Sequence, residues 1–417
     1  MRLLRNLCKT ECGAKPFLVR LEERAALFAL PMVLLLCAAG LFGADASGKP
    51  YVLLIGLDGF RFDYAQKFDA KNIAAFRDRG SSSEALIPCY PSLTFPNFYT
   101  LATGLYPEHH GIVANKFWDP ARNAEFDFNR TGEDGSWYGG TPVWVLAEQQ
   151  GMRTAAYFWP GTGGEIQHVR PSFFYPYDGA TTDEVRVRQV LDWFRLPEEQ
   201  RPHLVIVYFP DVDAAGHKYG PDSAEERAAV AKVDGTVGGL LESLRAIDRQ
   251  VNVVIVSDHG MLTVERGIEL NAADFDGFRV EGDGSMVMLY SADRALVESA
   301  YNKLRGKSEL YEVYRRRETP AAWHYSGNPR IGDLLLVAKG PYTFVLPKHA
   351  PPKGMHGYDP AESPAMRGIF YAAGPGVRAG MRLPAFPNTN VFPFLVRLLR
   401  LRPPTQMDGM ADGRLLK

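Results

Sequence analysis

Cysteine is scarce in this chain, four in 417 residues. Cys8, Cys12 and Cys37 fall in or before an apolar segment near the N-terminus, so a chain cleaved after that segment keeps Cys89 alone. One thiol cannot close an intrachain disulfide. That excludes a disulfide scaffold and leaves stability to a large core or bound metal. An excess of charge is missing too: 47 Lys and Arg stand against 48 Asp and Glu, a net charge of −1. A nucleic-acid polymer as main partner would require a basic face, so none is expected. Internal repeats and low-complexity tracts are absent. With 46% apolar residues the composition excludes disorder, and the length suits one large or two modest domains.

The N-terminus differs in kind from the rest. Arg2, Arg5, Lys9, Lys15, Arg20 and Arg24 precede "AALFALPMVLLLCAAGLFGA", residues 25–44, which carries no charge. A small-residue exit follows at Ala44-Asp45-Ala46. Residues 1–46 therefore read as a secretory signal peptide. The competing reading is an uncleaved membrane anchor, because about 20 apolar residues can span a bilayer. Basic residues hold that end in the cytoplasm in either case. The chain from residue 47 on is expected to be exported, periplasmic or extracellular, touching a membrane only through an uncleaved N-terminal segment.

Three apolar runs end near acid: "YVLLIGLD" at Asp58, "HLVIVYFPDVD" at Asp213 and "VNVVIVSDHG" at Asp258. They are β-branched and do not alternate, as in strands buried on both faces. Helical patterns lie between them. "TPVWVLAEQQG" has Thr141 as cap and Gly151 as stop, and "DEVRVRQVLDWF" places Val187, Val190, Leu191 and Phe194 on one stripe. Strands alternating with helices predict an α/β fold with a doubly wound, mostly parallel sheet. Residues 264–345 read as a small α+β insertion lobe within a catalytic domain spanning 47–417. Ligands bind beyond the carboxyl ends of such strands, so three aspartates there are informative.

Histidines accompany them. Asp213 and His217 are four apart, Asp258 and His259 are adjacent, and His356 follows in "GMHGYD". Three carboxylates and three imidazoles are too many for one catalytic zinc and divide into two sites. Mixed nitrogen and oxygen ligands suit zinc, and manganese or iron less specifically. Paired metals clamp the attacking and leaving oxygens of displacement at phosphorus.

"CYPSLTFPN" offers three nucleophiles: Cys89, Ser92 and Thr94. Cys89-Tyr90-Pro91-Ser92 begins like a sulfatase C-x-P-S-R motif, but Leu93 stands in place of the arginine. Thr94 sits where an N-cap belongs, with Pro96 in the first turn of a helix. The positive end of that helix suits an anion, and a threonine oxygen held by metal can attack phosphorus.

These segments resemble the nucleotide pyrophosphatase/phosphodiesterase family of the alkaline phosphatase superfamily. The likeness runs through "LIGLDGFRFDY", "YPSLTFPNFYTLATGLYPEHHGIVANKFWDP", "FWPGTGGEIQHVRPSFFYPYD", "DAAGHKYGP", "VSDHGM", "WHYSGNPRIGDLLLVA" and "HGYDP", in the family's order. It implies an alkaline-phosphatase-like fold and Thr94 as nucleophile. One zinc would be held by Asp213, His217 and His356. The other would be held by Asp58, Asp258 and His259, with Thr94 also on it. Asn115 would donate to a phosphate oxygen, Phe95 and Tyr208 would sandwich a nucleobase, and Trp159 would wall the pocket. Many relatives carry Glu-Pro where this chain has Asp211-Val212. Asp211 is a decoy, since Asp213 keeps the four-residue spacing to His217. His109, His110 and His349 are read as structural or decoys.

The expected function is hydrolysis of phosphodiester or pyrophosphate bonds in small-molecule or nucleotide substrates, through a phosphothreonine adduct and two divalent ions. The rival readings are a lipid-headgroup phosphodiesterase of glycerophosphocholine type, a phosphomonoesterase of the same superfamily, and a non-catalytic extracellular binding module.

Overall fold

The three acid-ended runs lie side by side at the centre of an eight-stranded sheet. The computed structural model describes residues 48–417 apart from 248, 249 and 283, so the signal or anchor expected in 1–46 lies outside the described residues. In chain order the strands of this sheet are β1 (Tyr51–Leu57), β2 (Ser81–Ser83), β3 (Thr154–Tyr157), β4 (Phe173–Tyr175), β5 (Leu204–Phe209), β6 (Val251–Val256), β7 (Phe370–Ala373) and β8 (Arg382–Leu383). Their spatial order is β8-β2-β7-β6-β1-β5-β3-β4. All neighbours run parallel except β7, which is antiparallel to both β6 and β2.

Val52, Leu53, Leu54 and Ile55 have no exposed surface, as expected of a strand covered on both faces. The longer helices are α1 (Lys71–Arg79), α2 (Thr94–Thr103), α3 (Val143–Gln149), α4 (Asp183–Arg195), α5 (Asp211–Tyr219), α6 (Ala224–Ala246), α7 (Arg294–Leu304) and α8 (Val391–Leu398). Helices α1, α4 and α5 pack on α6 in one layer; α2, α3 and α8 pack together in another.

Two boundaries differ from the sequence reading. Thr94 is the first helical residue of α2, and extended Leu93 takes the cap position (φ −107°, ψ 155°) without a side-chain bond. The Thr94 hydroxyl is thereby released from capping. Helix α3 likewise begins at Val143, with Pro142 rather than Thr141 at its cap.

Helix α1 also has no cap of its own, because Ala70 precedes it. Asp234 of α6 substitutes: its carboxylate accepts from Ile73 N at 2.8 Å, Asn72 N at 3.2 Å and Asn72 Nδ2 at 2.9 Å. A distant acid thus satisfies the free donors at that helix start.

Residues 279–338 include a separate antiparallel sheet, ordered Arg279–Glu281, Met286–Tyr290, Leu334–Ala338, Tyr311–Arg315. Alternation divides its side chains. Met286, Met288 and Tyr290 join the main core, while Val287 and Leu289 join a second cluster with Ala300 and Leu304 of α7. The sheet therefore sits against the main core on one face and carries its own helix on the other.

Asp234→Ala is expected to lower unfolding stability by about 1–3 kcal/mol, the cost of leaving buried helix-start donors unpaired. Urea denaturation measures it; an unchanged midpoint would show that the cap contributes nothing.

Candidate active site

Strands β1, β5 and β6 end at one level, with Leu57 beside Phe209 and Gly56 beside Val256. Asp58 follows β1 directly, and Asp258 stands two residues beyond β6. Asp213 is not at a strand end. It lies in the first turn of α5, which places His217 one turn further on the same face. Gly59 lets these segments close: its φ is +67°, and a Cβ there would lie 2.9 Å from the Asp213 Cα. Its N–H donates to Asp258 Oδ1 at 3.2 Å, and Asp213 N donates to the Asp58 carbonyl at 3.2 Å.

All three histidines turn the same atom inward. Each Nδ1 lies 2.9 Å from a backbone oxygen: His217 at Gly354, His259 at Gly260, His356 at Ser92. A carbonyl only accepts, so each Nδ1 carries the proton and each Nε2 presents a lone pair. The Nε2 atoms of His217 and His356 are nevertheless 3.1 Å apart. The His259 and His356 rings stack at 3.6 Å. His259 Nε2 lies 2.9 Å from Asp258 Oδ2 and 3.5 Å from Asp58 Oδ1. Asp213 Oδ1 is 3.5 Å from His217 Nε2 and 3.6 Å from His356 Nε2. Asp58 Oδ1, Asp213 Oδ1 and Asp258 Oδ2 are buried with no hydrogen-bond partner. Acceptor atoms thus crowd together with few protein donors among them, an arrangement suited to divalent cations.

The ligand atoms fall into two groups, Asp213–His217–His356 and Asp58–Asp213–His259, each within 4.8 Å. Asp213 stands between them. Burial pushes the Asp58 carboxyl well above the usual carboxylate range, helped by the charges of Asp258 and Asp213. Burial does the same to Asp258, helped by Asp213. Burial also holds His356 neutral, and His259 and His217 add to that.

Thr94 Oγ1 lies 3.2 Å from His259 Nε2, at the edge of this cluster. The other two candidates are engaged elsewhere. Ser92 Oγ is fully buried and donates to the Tyr358 carbonyl at 2.6 Å. Cys89 Sγ is 3.1 Å from Asn388 Oδ1, and burial pushes its pKa up. Asn115 Oδ1 accepts from Phe95 N at 3.0 Å, which commits its oxygen and leaves the amide N–H₂ to donate.

The family model for type I phosphodiesterase / nucleotide pyrophosphatase matches residues 52–359. The chain belongs to that family. An uncharacterized pyrophosphatase/phosphodiesterase of Schizosaccharomyces pombe is 36% identical over 394 residues, covering 87% of this chain and 79% of the relative. Human ectonucleotide pyrophosphatase/phosphodiesterase family member 1 is 33% identical over 85% of this chain, which spans only 40% of that relative's length. Murine ectonucleotide pyrophosphatase/phosphodiesterase 5, solved as an inactive threonine-to-alanine variant with AMP, superposes with a TM-score of 0.84 at 29% identity, covering 88% of this chain and 100% of that one. The fold is alkaline-phosphatase-like, and the family is one of metal-dependent hydrolases.

In this pyrophosphatase/phosphodiesterase a cavity of about 530 Å³ opens over Thr94, Asn115 and the ligand cluster. Phe95 lines it. Trp159 borders it but is 2% exposed, packed edge-on against Phe98 with its indole N–H on the Phe98 carbonyl. Tyr208, which the resemblance pairs with Phe95 around a nucleobase, lines the same cavity. It is 8% exposed, and its hydroxyl donates to Asp58 Oδ2 at 2.5 Å. That geometry spends Tyr208 on aiming a carboxylate and offers little ring face to a base. Open ring faces come instead from Phe128 and from Tyr177, 58% exposed. Sequence reasoning missed both, although the aromatic run "FFYPYD" at 173–178 carried the signal for Tyr177.

The decoys are accounted for. Asp211 pairs with Lys232. His110 is buried against Thr100 Oγ1 at 3.0 Å, with its pKa pushed down to about 3 by burial. His109 lies 2.8 Å from Asp408, and His349 Nδ1 lies 3.1 Å from the Pro347 carbonyl.

Metal removal tests the donor reading. Asp58 and Asp258 have raised folded-state pKa values, so the ion-free fold keeps protons that the unfolded chain releases above about pH 4. Their stabilising contribution is full below that pH and is lost as pH rises through the folded values. Chelation should therefore depress the melting temperature more at pH 8 than at pH 5. Zinc added back at pH 6 should release protons, seen calorimetrically as a buffer-dependent enthalpy. Equal melting shifts and no proton release would contradict these assignments.

Proposed function

We propose that this chain is an exported two-zinc phosphodiesterase and nucleotide pyrophosphatase that works through a threonine nucleophile. The observation that carries the reading is the Thr94 hydroxyl, 3.2 Å from His259 Nε2, beside three inward lone pairs and three unpartnered carboxylate oxygens. Asp213, His217 and His356 would hold one ion, and Asp58, Asp258 and His259 the other. When bound, the ions supply positive charge to the transferred phosphoryl group and lower the pKa of the threonine hydroxyl.

The chain's own groups do the rest. Thr94 Oγ1 attacks phosphorus from the N-terminal end of α2, whose dipole favours the anion. The free Asn115 amide donates to a non-bridging phosphate oxygen as charge gathers there. Tyr208 holds Asp58 through its hydroxyl. Phe95, Phe128 and Tyr177 offer faces on which a nucleobase can stack. Water then displaces Thr94 and frees the monophosphate. The murine relative supports this reading, because a threonine-to-alanine change accompanies its inactivity and it binds AMP. Export is supported by the ecto- and venom enzymes among the relatives. No helix among the described residues is long and apolar enough to cross a membrane.

Thr94→Ala should fold and keep its metal, yet lose at least about 10³-fold in kcat/KM on a thymidine 5′-(4-nitrophenyl phosphate) substrate. Activity within tenfold of the parent would remove Thr94 as nucleophile. Faster turnover of 4-nitrophenyl phosphate than of the diester would replace the reading with a phosphomonoesterase.

A further inference from the structure

A phosphodiester carries two substituents across its phosphorus, and two cavities meet at this centre. The second, of about 500 Å³, shares Asn115, Phe128, His217 and His356 with the first. Both volumes are those of small-molecule sites. Their chemistry differs. The first holds the nucleophile and open aromatic faces. The second runs toward the small antiparallel sheet and is walled by Leu93, Met286, Met288, Phe344, Leu346 and Met355. Among its described lining residues Lys116 is the one ammonium, and no guanidinium is present. That ammonium already lies 3.5 Å from Asp127 Oδ2. His349 adds one exposed imidazole.

A departing pyrophosphate would bring several negative charges into this trough and meet one cation that is already paired. Burying an anion without counter-charge is costly. An apolar group gains instead, and thioether side chains adapt to varied alkyl and aromatic shapes. Leu346 stands 57% exposed on the rim, where an apolar occupant would cover it.

We propose that the second cavity is the leaving-group subsite and selects uncharged, apolar alcohols over polyphosphate. The inference rests on the phosphodiesterase reading and deepens it. In the step it concerns, the Thr94 Oγ1–phosphorus bond forms and the bond from phosphorus to the alcohol oxygen breaks. That oxygen keeps the electron pair, takes a proton and departs as ROH. Water then completes the hydrolysis.

The methyl and hexyl esters of adenosine 5′-monophosphate test it, because their leaving alcohols differ in apolar area and little in acidity. The full chain, supplied with zinc, should show kcat/KM at least about tenfold higher for the hexyl ester, as two buried methylenes would give. Leu346→Lys places a cation on the rim at an exposed position, and its melting temperature checks the fold. It should lower the hexyl-to-methyl ratio and raise kcat/KM on ATP relative to the methyl ester severalfold. A hexyl-to-methyl ratio near one, with the methyl ester still cleaved, overturns this inference and leaves the phosphodiesterase reading standing. A Leu346→Lys variant with both ratios unchanged also overturns it. Cleavage of no ester, with the thymidine substrate equally untouched, removes both.

Discussion

Acceptors crowded together without donors are the constraint on which this molecule turns. Three imidazole Nε2 atoms and three carboxylate oxygens converge, and those carboxylate oxygens have no hydrogen-bond partner. Buried like charges and facing lone pairs are costly in a low-dielectric interior. A large core holds the elements in place against that cost, and in the proposed enzyme divalent cations would convert it into binding energy. Metal binding would then follow from how the side chains are aimed, not only from which residues are present.

The aiming depends on backbone carbonyls, and two of the three are far in sequence from the histidine they hold. The Ser92 carbonyl orients His356, and the Ser92 hydroxyl reaches the Tyr358 carbonyl. One residue thus brackets the segment that carries Thr94 to the segment that carries His356. Gly354 and Gly260 perform the same service for His217 and His259. Ser92 was a candidate nucleophile by sequence; its position makes it a clasp. Gly59 acts in the complementary way, by lacking a side chain where Asp58, Asp213 and Asp258 must approach.

The two cavities add selectivity to this reactive centre. They share Asn115, Asn129, His217 and His356 but differ in walls, so in the proposed reading each substituent on phosphorus would meet a different surface. The second takes Met286 and Met288 from the small antiparallel sheet and most of its remaining apolar wall from Phe344, Leu346 and Met355. Alternation along Met286–Tyr290 sends Met286, Met288 and Tyr290 toward the main core, and Val287 and Leu289 toward α7.

By itself the sequence determined the α/β architecture, the central strands and the set of metal-ligating residue types. Those follow from local periodicity and from motifs a few residues long, such as Asp213 with His217 one helical turn on. The family likeness extended this to Thr94 and Asn115. Only the tertiary structure decided the rest. Releasing Thr94 from capping required the backbone turn at Leu93, and the cap of α1 came from Asp234, more than 160 residues away. Tyr208 lies near the end of β5, where its sequence says aromatic and nothing more; contact with Asp58 across the sheet made it a carboxylate partner. Which ring nitrogen faces inward, which aromatic stays exposed and which cavity is apolar depend on contacts between distant segments, and local pattern carries no record of those.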